Sequence, residues 1–288
     1  LKLDITPILL HGYGNTIRKN DFLIKKSIVS YKVLPRISWD DAKFGIGYRN
    51  RSKEIKNYFS KELSEFTKER ENTNYLYGNI RSNIDYKGPI IEWYYKIKWR
   101  LEKNNYAYYD SLIPNNAKVY DLGCGYGFLS CFLHLKSEDR EIIGIDYDSD
   151  KVNIAQNYFM FKNLPNLRFS DQNILDAKLE NPDVILLNDV LHYLDKKSQS
   201  SVLINCFKNL NENGVILIRE GEKSNNKHIF TKFTELLSTK IFRFNKAEGK
   251  LSFISGSCLN DLAKQFSFKI EEFNHSKITS NKLFILRK

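Results

Sequence analysis

The residues of this chain with the clearest chemical potential lie in the stretch KVYDLGCGYGF, residues 118–128. A short apolar run leads into Asp121, and Gly123, Gly125 and Gly127 then alternate with other residues. A glycine loop between a strand and a helix offers backbone N–H groups and a helix N-terminus to a ligand, which can approach the backbone closely. The stretch therefore predicts a ligand-binding turn.

The spacing of the glycines narrows the choice of ligand. A dinucleotide fingerprint needs a third glycine where this chain has Phe128, so the spacing disfavours a pyrophosphate site and a nicotinamide-dependent oxidoreductase. No Lys-Ser or Lys-Thr pair follows the loop, which excludes a phosphate-binding NTPase loop.

A second acid follows the next strand-like run, EIIGIDYD, which ends in Asp146. A carboxylate at a strand end accepts hydrogen bonds from both hydroxyls of a ribose. The alternative for Asp146 is an N-cap of the following helix, although Asp148 or Ser149 would serve that role as well.

The order Asp-x-Gly-x-Gly-x-Gly resembles the first motif of class I S-adenosylmethionine-dependent methyltransferases. The resemblance implies that Asp121 helps to hold the methionine ammonium of the cofactor and that Asp146 binds its ribose. It also implies close contact between the cofactor and the loop residues Gly123, Cys124, Gly125 and Gly127.

Two later stretches extend the resemblance. LRFSDQNILD has Asn173 where the family usually carries an acid that accepts the adenine amino group, and Asn173 or Asp171 would take that role here. PDVILLNDVLHYL matches the family's fourth strand, whose end passes under cofactor and substrate. The resemblance further implies that the cofactor contacts Tyr147, Ile174 and Asn188.

Two residues near the ends of the fourth and fifth strands are candidates for catalysis. His192, in DVLHYL, is placed to act as a general base, which is needed only for a hydroxyl or an activated ring carbon; the alternative is a packing role. Glu220 belongs to the same rim, where it or Arg219 would touch substrate or form a salt bridge. Tyr193 would line the pocket.

From residue 117 onward, strand-like and helix-like segments alternate. We predict strands at 118–121, 141–145, 167–170, 183–188, 214–219, 268–274 and 282–287, and helices at 127–136, 149–163, 198–210 and 257–265. Such alternation predicts an α/β fold with a mostly parallel sheet covered by helices on both faces. With the resemblance, the fold class is a Rossmann-like class I methyltransferase with a seven-stranded sheet.

The segment before this domain has a different character. Residues 1–38 read as two or three strands, residues 40–72 are charged and helix-like, and Gly88-Pro89 predicts the start of a helix. ITPILLHGYGN and KNDFLIKKSIVSYKVLPRI resemble the late strands of a lysophospholipid or glycerolphosphate acyltransferase domain. We therefore predict a C-terminal acyltransferase remnant over residues 1–72 and a methyltransferase domain over 73–288, with an aromatic insertion or lid at 228–250.

The whole chain resembles the C-terminal end of multidomain Bacteroidetes proteins that join a membrane part, a lysophospholipid acyltransferase and a class I methyltransferase. The matching stretches are YKGPIIEWYYKIKWRLE, DVLHYL, STKIFRFNK and LSFISGS. The resemblance implies a longer parent chain with acyltransferase and membrane parts. It also implies a lipid-like or aromatic acceptor, as in aryl polyene metabolism.

The charge and the cysteine content limit the partners, the cellular compartment and the metal sites that the chain could have. The net charge is +11, and residues 1–110 hold 21 Lys and Arg against 13 Asp and Glu, which fits a surface facing anionic lipid or simply a solvated face. Four scattered cysteines without a CxxC pair predict a reduced, cytoplasmic compartment, with or without contact to the inner membrane face, and no metal site.

The sequence thus predicts a methyltransferase that acts on a small lipidic or aromatic acceptor, at oxygen or carbon. The alternative is a non-catalytic cofactor-binding module of a larger acyltransferase or exporter protein. NDVLHY lacks the proline pair that marks amino-directed nucleic-acid methyltransferases at the end of the fourth strand, so we expect no nucleic-acid partner.

Overall fold

The structure is a computed structural model that describes residues 2–13, 16, 27–81, 88–157, 164–221, 252–273 and 281–288. The chain divides into two compact units, Leu1–Ser82 and Asn83–Lys288, a boundary ten residues after the predicted one. Within the described ranges no helix is long and apolar enough to cross a bilayer. The predicted insertion at 228–250 lies outside the described residues.

The N-terminal unit combines a two-stranded antiparallel sheet with two helices. Its elements are β1 (Ile8–His11), β2 (Ser30–Val33), α1 (Tyr48–Arg70) and α2 (Thr73–Arg81). Leu9 of β1 packs with Leu34 and Phe66 in a small apolar core. The opposite face of the sheet exposes apolar side chains, with Leu10 paired to Tyr31.

The C-terminal unit is built on a seven-stranded sheet, in the order β5-β4-β3-β6-β7-β9-β8. Its strands are β3 (Lys118–Leu122), β4 (Glu141–Asp146), β5 (Leu167–Asp171), β6 (Val184–Asn188), β7 (Val215–Gly221), β8 (Lys269–Phe273) and β9 (Asn281–Arg287). The first five are parallel, and β9 runs antiparallel to both β7 and β8. The predicted mostly parallel sheet is confirmed.

Helices flank this sheet and begin where the sequence provides caps. They are α3 (Pro89–Leu112), α4 (Phe128–Lys136), α5 (Ser149–Asn157), α6 (Lys196–Asn209) and α7 (Gly256–Gln265). Gly88 and Pro89 begin α3 as predicted, and the Asp195 carboxylate caps α6 by accepting from the Ser198 N–H.

One buried charge fastens the end of α3 to the sheet. Arg140, which is 0% exposed, donates to the Asp110 carboxylate and to four backbone carbonyls, those of Asp110, Ile113, Pro114 and Leu133. The last turn of a helix leaves carbonyls without intrahelical partners, and here a guanidinium satisfies them. Arg140 therefore fixes the turn through which the chain enters β3.

Candidate functional site

The predicted site residues gather at the carboxyl ends of the central strands. The glycine loop follows β3, Asp146 ends β4, Asn188 ends β6, and Glu220 lies near the end of β7. Ligands in open α/β sheets bind at this rim. The structure thus brings together residues that are up to about a hundred positions apart in the chain.

Asp146 organises the glycine loop directly. One carboxylate oxygen accepts from the Gly125 N–H at 2.8 Å, and the other accepts from the Asp148 N–H at 2.9 Å. The Asp148 carbonyl and carboxylate receive the first N–H groups of α5, so Asp148 rather than Asp146 caps that helix. Since a carboxylate offers about four acceptor positions, Asp146 can still accept from a ribose.

Packing requires two of the glycines. Gly123 has φ +79°, and a Cβ there would lie 2.4 Å from Val190 Cγ2. Gly127 has φ +68°, and a Cβ there would lie 2.4 Å from the Phe169 ring. The Cys124 side chain packs close to Gly144 on β4. The loop is therefore pressed against its neighbours, and Gly123 brings it into contact with the segment that follows β6.

Asp121 is a buried carboxylate that accepts one short hydrogen bond within the described ranges of the chain. The Ser130 hydroxyl of α4 donates to it at 2.6 Å. Burial raises the pKa of Asp121 to about 6; the Ser130 hydrogen bond lowers it and the nearby Asp146 charge raises it further. An ionised carboxylate at this depth lacks solvation, and a bound ammonium group would supply the missing countercharge.

We expect Asp121→Asn to stabilise the ligand-free protein at pH 8 by about 2–3 kcal/mol, since one pKa unit corresponds to about 1.4 kcal/mol. The folded-state pKa lies above the unfolded value. The protonated carboxyl therefore favours folding below about pH 4, and this contribution is lost as the pH rises through about 6.

Denaturant unfolding of wild type and D121N at pH 4 and pH 8 checks this. The advantage of the variant should appear only at the higher pH. An equal effect at both pH values would show that the ionised Asp121 carries no desolvation cost.

The predicted adenine and ribose neighbours lie at the ends of β4 and β5. The Asn173 side-chain oxygen accepts from the Leu175 N–H at 3.0 Å and caps a short 3₁₀ turn that begins with the buried Ile174. This leaves the Asn173 amide group and a second lone pair of its oxygen for other partners. Tyr147 and Asp171 are exposed beside Asp146.

His192 and Glu220 form a pair on the neighbouring strand ends. The distance from His192 Nδ1 to a Glu220 carboxylate oxygen is 2.8 Å, and the other Glu220 oxygen accepts from the Leu191 N–H at 2.8 Å. A carboxylate can only accept, so Nδ1 donates in this hydrogen bond, and in the neutral imidazole Nε2 then carries the lone pair. The rings of Tyr193 and Phe253 lie 4.2 and 5.6 Å from the imidazole, centre to centre. The pair has the arrangement of an oriented general base.

A second cluster, on the face of the sheet opposite to the His192–Glu220 pair, was not predicted from the sequence. The Tyr109 hydroxyl of α3 donates to the Asn188 side-chain oxygen at 3.0 Å. Arg219 forms ion pairs with Glu102 of α3 and with Asp189, so the salt-bridge alternative for Arg219 is confirmed. Asp189 adopts φ +52°, an uncommon conformation for a residue with a side chain.

The carboxylates at the carboxyl ends of β3 and β4 fit the polar groups of S-adenosylmethionine. The cofactor needs acceptors for its ribose hydroxyls and countercharge for its ammonium group, and Asp146 and the desolvated Asp121 offer these on adjacent strands. Among the described residues, no group of three or more His, Cys, Asp or Glu side chains is arranged to hold a metal ion.

Comparison with known proteins gives a family match that lies within the second unit. Residues 113–282 match the family described as "Methyltransferase domain". A carboxy-S-adenosyl-L-methionine synthase from Idiomarina loihiensis is 27% identical over 141 residues, covering 48% of this chain and 56% of the synthase. The chain thus spans about half the length of the curated relatives it matches.

Solved structures share the fold at low sequence identity. Magnesium protoporphyrin IX methyltransferase from Synechocystis PCC 6803 superposes with a TM-score of 0.53 at 15% identity, over 82% of this chain and 99% of that protein. An O-methyltransferase family protein from Burkholderia thailandensis gives 0.51 at 19% identity, over 66% and 56%.

Proposed function

The chain belongs to the methyltransferase domain family, whose methyl donor is S-adenosylmethionine, and on that premise we propose that it transfers a methyl group from this cofactor to a small acceptor. One observation carries the proposal. A glycine loop fastened to Asp146 and a histidine–glutamate pair lie at the same rim of one sheet, joined by the contact between Gly123 and Val190.

The first group of residues is proposed to bind the methyl donor. We assign the ribose to Asp146 and the methionine ammonium to Asp121, and we place the cofactor along Gly123, Cys124, Gly125 and Gly127. Tyr147, Asn173, Ile174 and Asn188 complete the proposed cofactor contacts.

Catalysis needs little beyond alignment and a proton acceptor. S-adenosylmethionine supplies an electrophilic methyl group with a good leaving group, so holding the acceptor in line accounts for much of the rate. His192 Nε2 would take the proton of an acceptor hydroxyl, and Glu220 would orient the ring and stabilise its protonated form.

The acceptor we propose is lipidic or aromatic, methylated at oxygen or carbon. The rings of Tyr193 and Phe253 beside His192 suit a flat, apolar molecule. The basic first third of the chain and the exposed apolar face at Leu10 and Tyr31 support contact with a membrane surface, as in a longer protein with acyltransferase and membrane parts.

The test is transfer of label from S-[methyl-³H]adenosylmethionine to small molecules. Purified chain is incubated with organic and aqueous bacterial extracts, and Asp146→Ala serves as the inactive control. Label should enter the organic extract with wild type alone. Cofactor binding without transfer to either extract would favour the non-catalytic module instead.

Mass spectrometry of the cofactor after the reaction distinguishes methyl transfer from a different reaction. Methyl transfer leaves S-adenosylhomocysteine, whereas the product named for the Idiomarina relative is carboxy-S-adenosyl-L-methionine.

Once a labelled product is found, we expect His192→Ala to lower kcat by about 10²–10⁴-fold, the usual contribution of a general base. The Kd for S-adenosylhomocysteine should stay within about threefold, since His192 lies outside the proposed cofactor contacts. Glu220→Gln should give a smaller loss of kcat, because the imidazole remains. Full activity of H192A would assign His192 a packing role only.

A further inference from the structure

The loop that leads into α1 carries the two most exposed large apolar side chains of the described residues. Ile46 is 88% exposed, and Tyr48, the first residue of the helix, is 87% exposed, whereas the next, Tyr31, is 68% exposed. Gly47 lies between them, and a Cβ there would meet no atom within 4 Å. Residues 46–48, which we call the apolar tip, therefore protrude from the surface of the N-terminal unit.

The base of this loop is fixed. Phe44 is 5% exposed, and its ring lies 5.4 Å from the Tyr58 ring of α1, centre to centre. The Arg51 guanidinium donates to the Asp41 and Ser38 carbonyls, which ties the start of α1 to the segment before the loop. A tip on a fixed base loses little conformational entropy when it binds a partner.

A row of basic side chains runs along α1 from the apolar tip. Arg49, Lys53 and Lys56 are spaced by four and three residues, so they share one face of the helix. All three are exposed, and within the described ranges none of them pairs with a carboxylate. The one acid among residues 42–57, Glu54, is rotated by about 100° or more from each of them. The row therefore keeps its positive charge for an external partner.

Protruding apolar side chains beside unpaired cations fit a membrane surface better than a protein. Two side chains are too few for a stable protein–protein interface, which buries about 800 Å² on each partner. A bilayer needs no complementary shape. Aliphatic side chains enter the acyl boundary, tyrosine suits the headgroup level, and Lys and Arg are attracted to anionic headgroups.

We propose that the apolar tip inserts into the surface of an anionic phospholipid bilayer while the three cations of α1 bind its headgroups. The inference rests on the membrane contact in the proposed function, and it names the residues that make that contact. The competing surface is the exposed sheet face at Leu10 and Tyr31. Lys32, the cation beside Tyr31 on β2, is paired with Glu62 at 3.2 Å, so it is less available to a headgroup.

Vesicle sedimentation tests the inference. The chain is mixed with phosphatidylcholine vesicles that contain about 30% phosphatidylserine and, separately, with pure phosphatidylcholine vesicles. Wild type should bind the anionic vesicles at least about tenfold more tightly, because each Lys or Arg at an anionic surface contributes about fivefold. Ile46→Ser/Tyr48→Ser should lower the partition coefficient at least about tenfold, through the lost burial of two apolar side chains.

The contribution of charge is tested on the same helix. Arg49→Gln/Lys53→Gln should also weaken binding to anionic vesicles at least about tenfold. The matched control, Lys61→Gln/Lys68→Gln, makes the same change of charge about 20 Å or more from Tyr48 along α1, farther than the Debye length of about 8 Å. Its binding should therefore stay within about threefold of wild type. All the substituted side chains are exposed, and the melting temperature verifies that each variant is folded.

Other results overturn the inference in distinguishable ways. A larger loss in Leu10→Ser/Tyr31→Ser than in I46S/Y48S would move the contact to the sheet face and leave the proposed membrane contact standing. Equal binding to both kinds of vesicle, or equal losses in the two charge variants, would reject headgroup binding by α1. A dimer that forms without vesicles and is lost in I46S/Y48S would assign the apolar tip to a second copy of the chain.

Failure of this inference is separate from failure of the proposed methyl transfer. Wild type that binds no vesicle would reject the inference and the proposed membrane contact together. The transfer of label to a small acceptor would still decide whether the chain is a methyltransferase.

Discussion

Arg140→Met is expected to lower the free energy of unfolding of the C-terminal unit by about 3–5 kcal/mol, the range found when one partner of a buried ion pair is removed. Methionine keeps an unbranched apolar side chain but is shorter than arginine and donates no hydrogen bonds. Four carbonyls and the Asp110 carboxylate would lose their partner, a guanidinium that is 0% exposed.

The matched control is Arg168→Met. Arg168 also pairs with a carboxylate, that of Glu141, but its side chain is 60% exposed. We expect a change below about 1 kcal/mol, as for most surface ion pairs. Chemical denaturation followed by fluorescence compares the two variants. Similar losses for both would show that the depth of Arg140 does not decide its contribution.

Asp146→Ala should raise the Kd for S-adenosylhomocysteine at least about 100-fold. The change removes two proposed bonds to the ribose, each to an ionised acceptor, and it releases the Gly125 N–H that shapes the loop. Calorimetric titration measures the loss, and the melting temperature reports whether the fold persists.

Asp139→Ala is the control for this prediction. Asp139 is an exposed acid in the turn before β4, at the opposite end of the strand that Asp146 terminates. Its removal should leave the Kd unchanged. A folded D146A protein that binds the ligand as wild type does would reject the ribose role of Asp146.

The sequence allowed prediction of the sheet and helices of the second unit, because each element has a local signal. Buried parallel strands appear as short apolar runs such as VILLN in β6, and Gly88-Pro89 begins α3. The nearness of His192 to Glu220 followed from a fold rule, since the carboxyl ends of parallel strands meet at one rim.

The contacts of α3 had no such signal. Tyr109 meets Asn188 across 79 positions, and Glu102 meets Arg219 from the opposite half of the unit. Such pairs depend on how a helix lies over the sheet, which the residues of neither partner reveal. The raised pKa of Asp121 was likewise unpredictable, because it depends on how deeply Ser130 and the loop bury it.

The contact between Gly123 and Val190 has a consequence for how this protein can change. A methyl group at position 123 would overlap the Val190 side chain, so the two positions restrict each other in size. In the proposed function, side chains that line the acceptor site could vary without disturbing this contact, whereas the size of the side chain at position 190 is restricted by the glycine loop. A substitution that enlarges position 123 would therefore be tolerated only after Val190 has been replaced by a smaller residue.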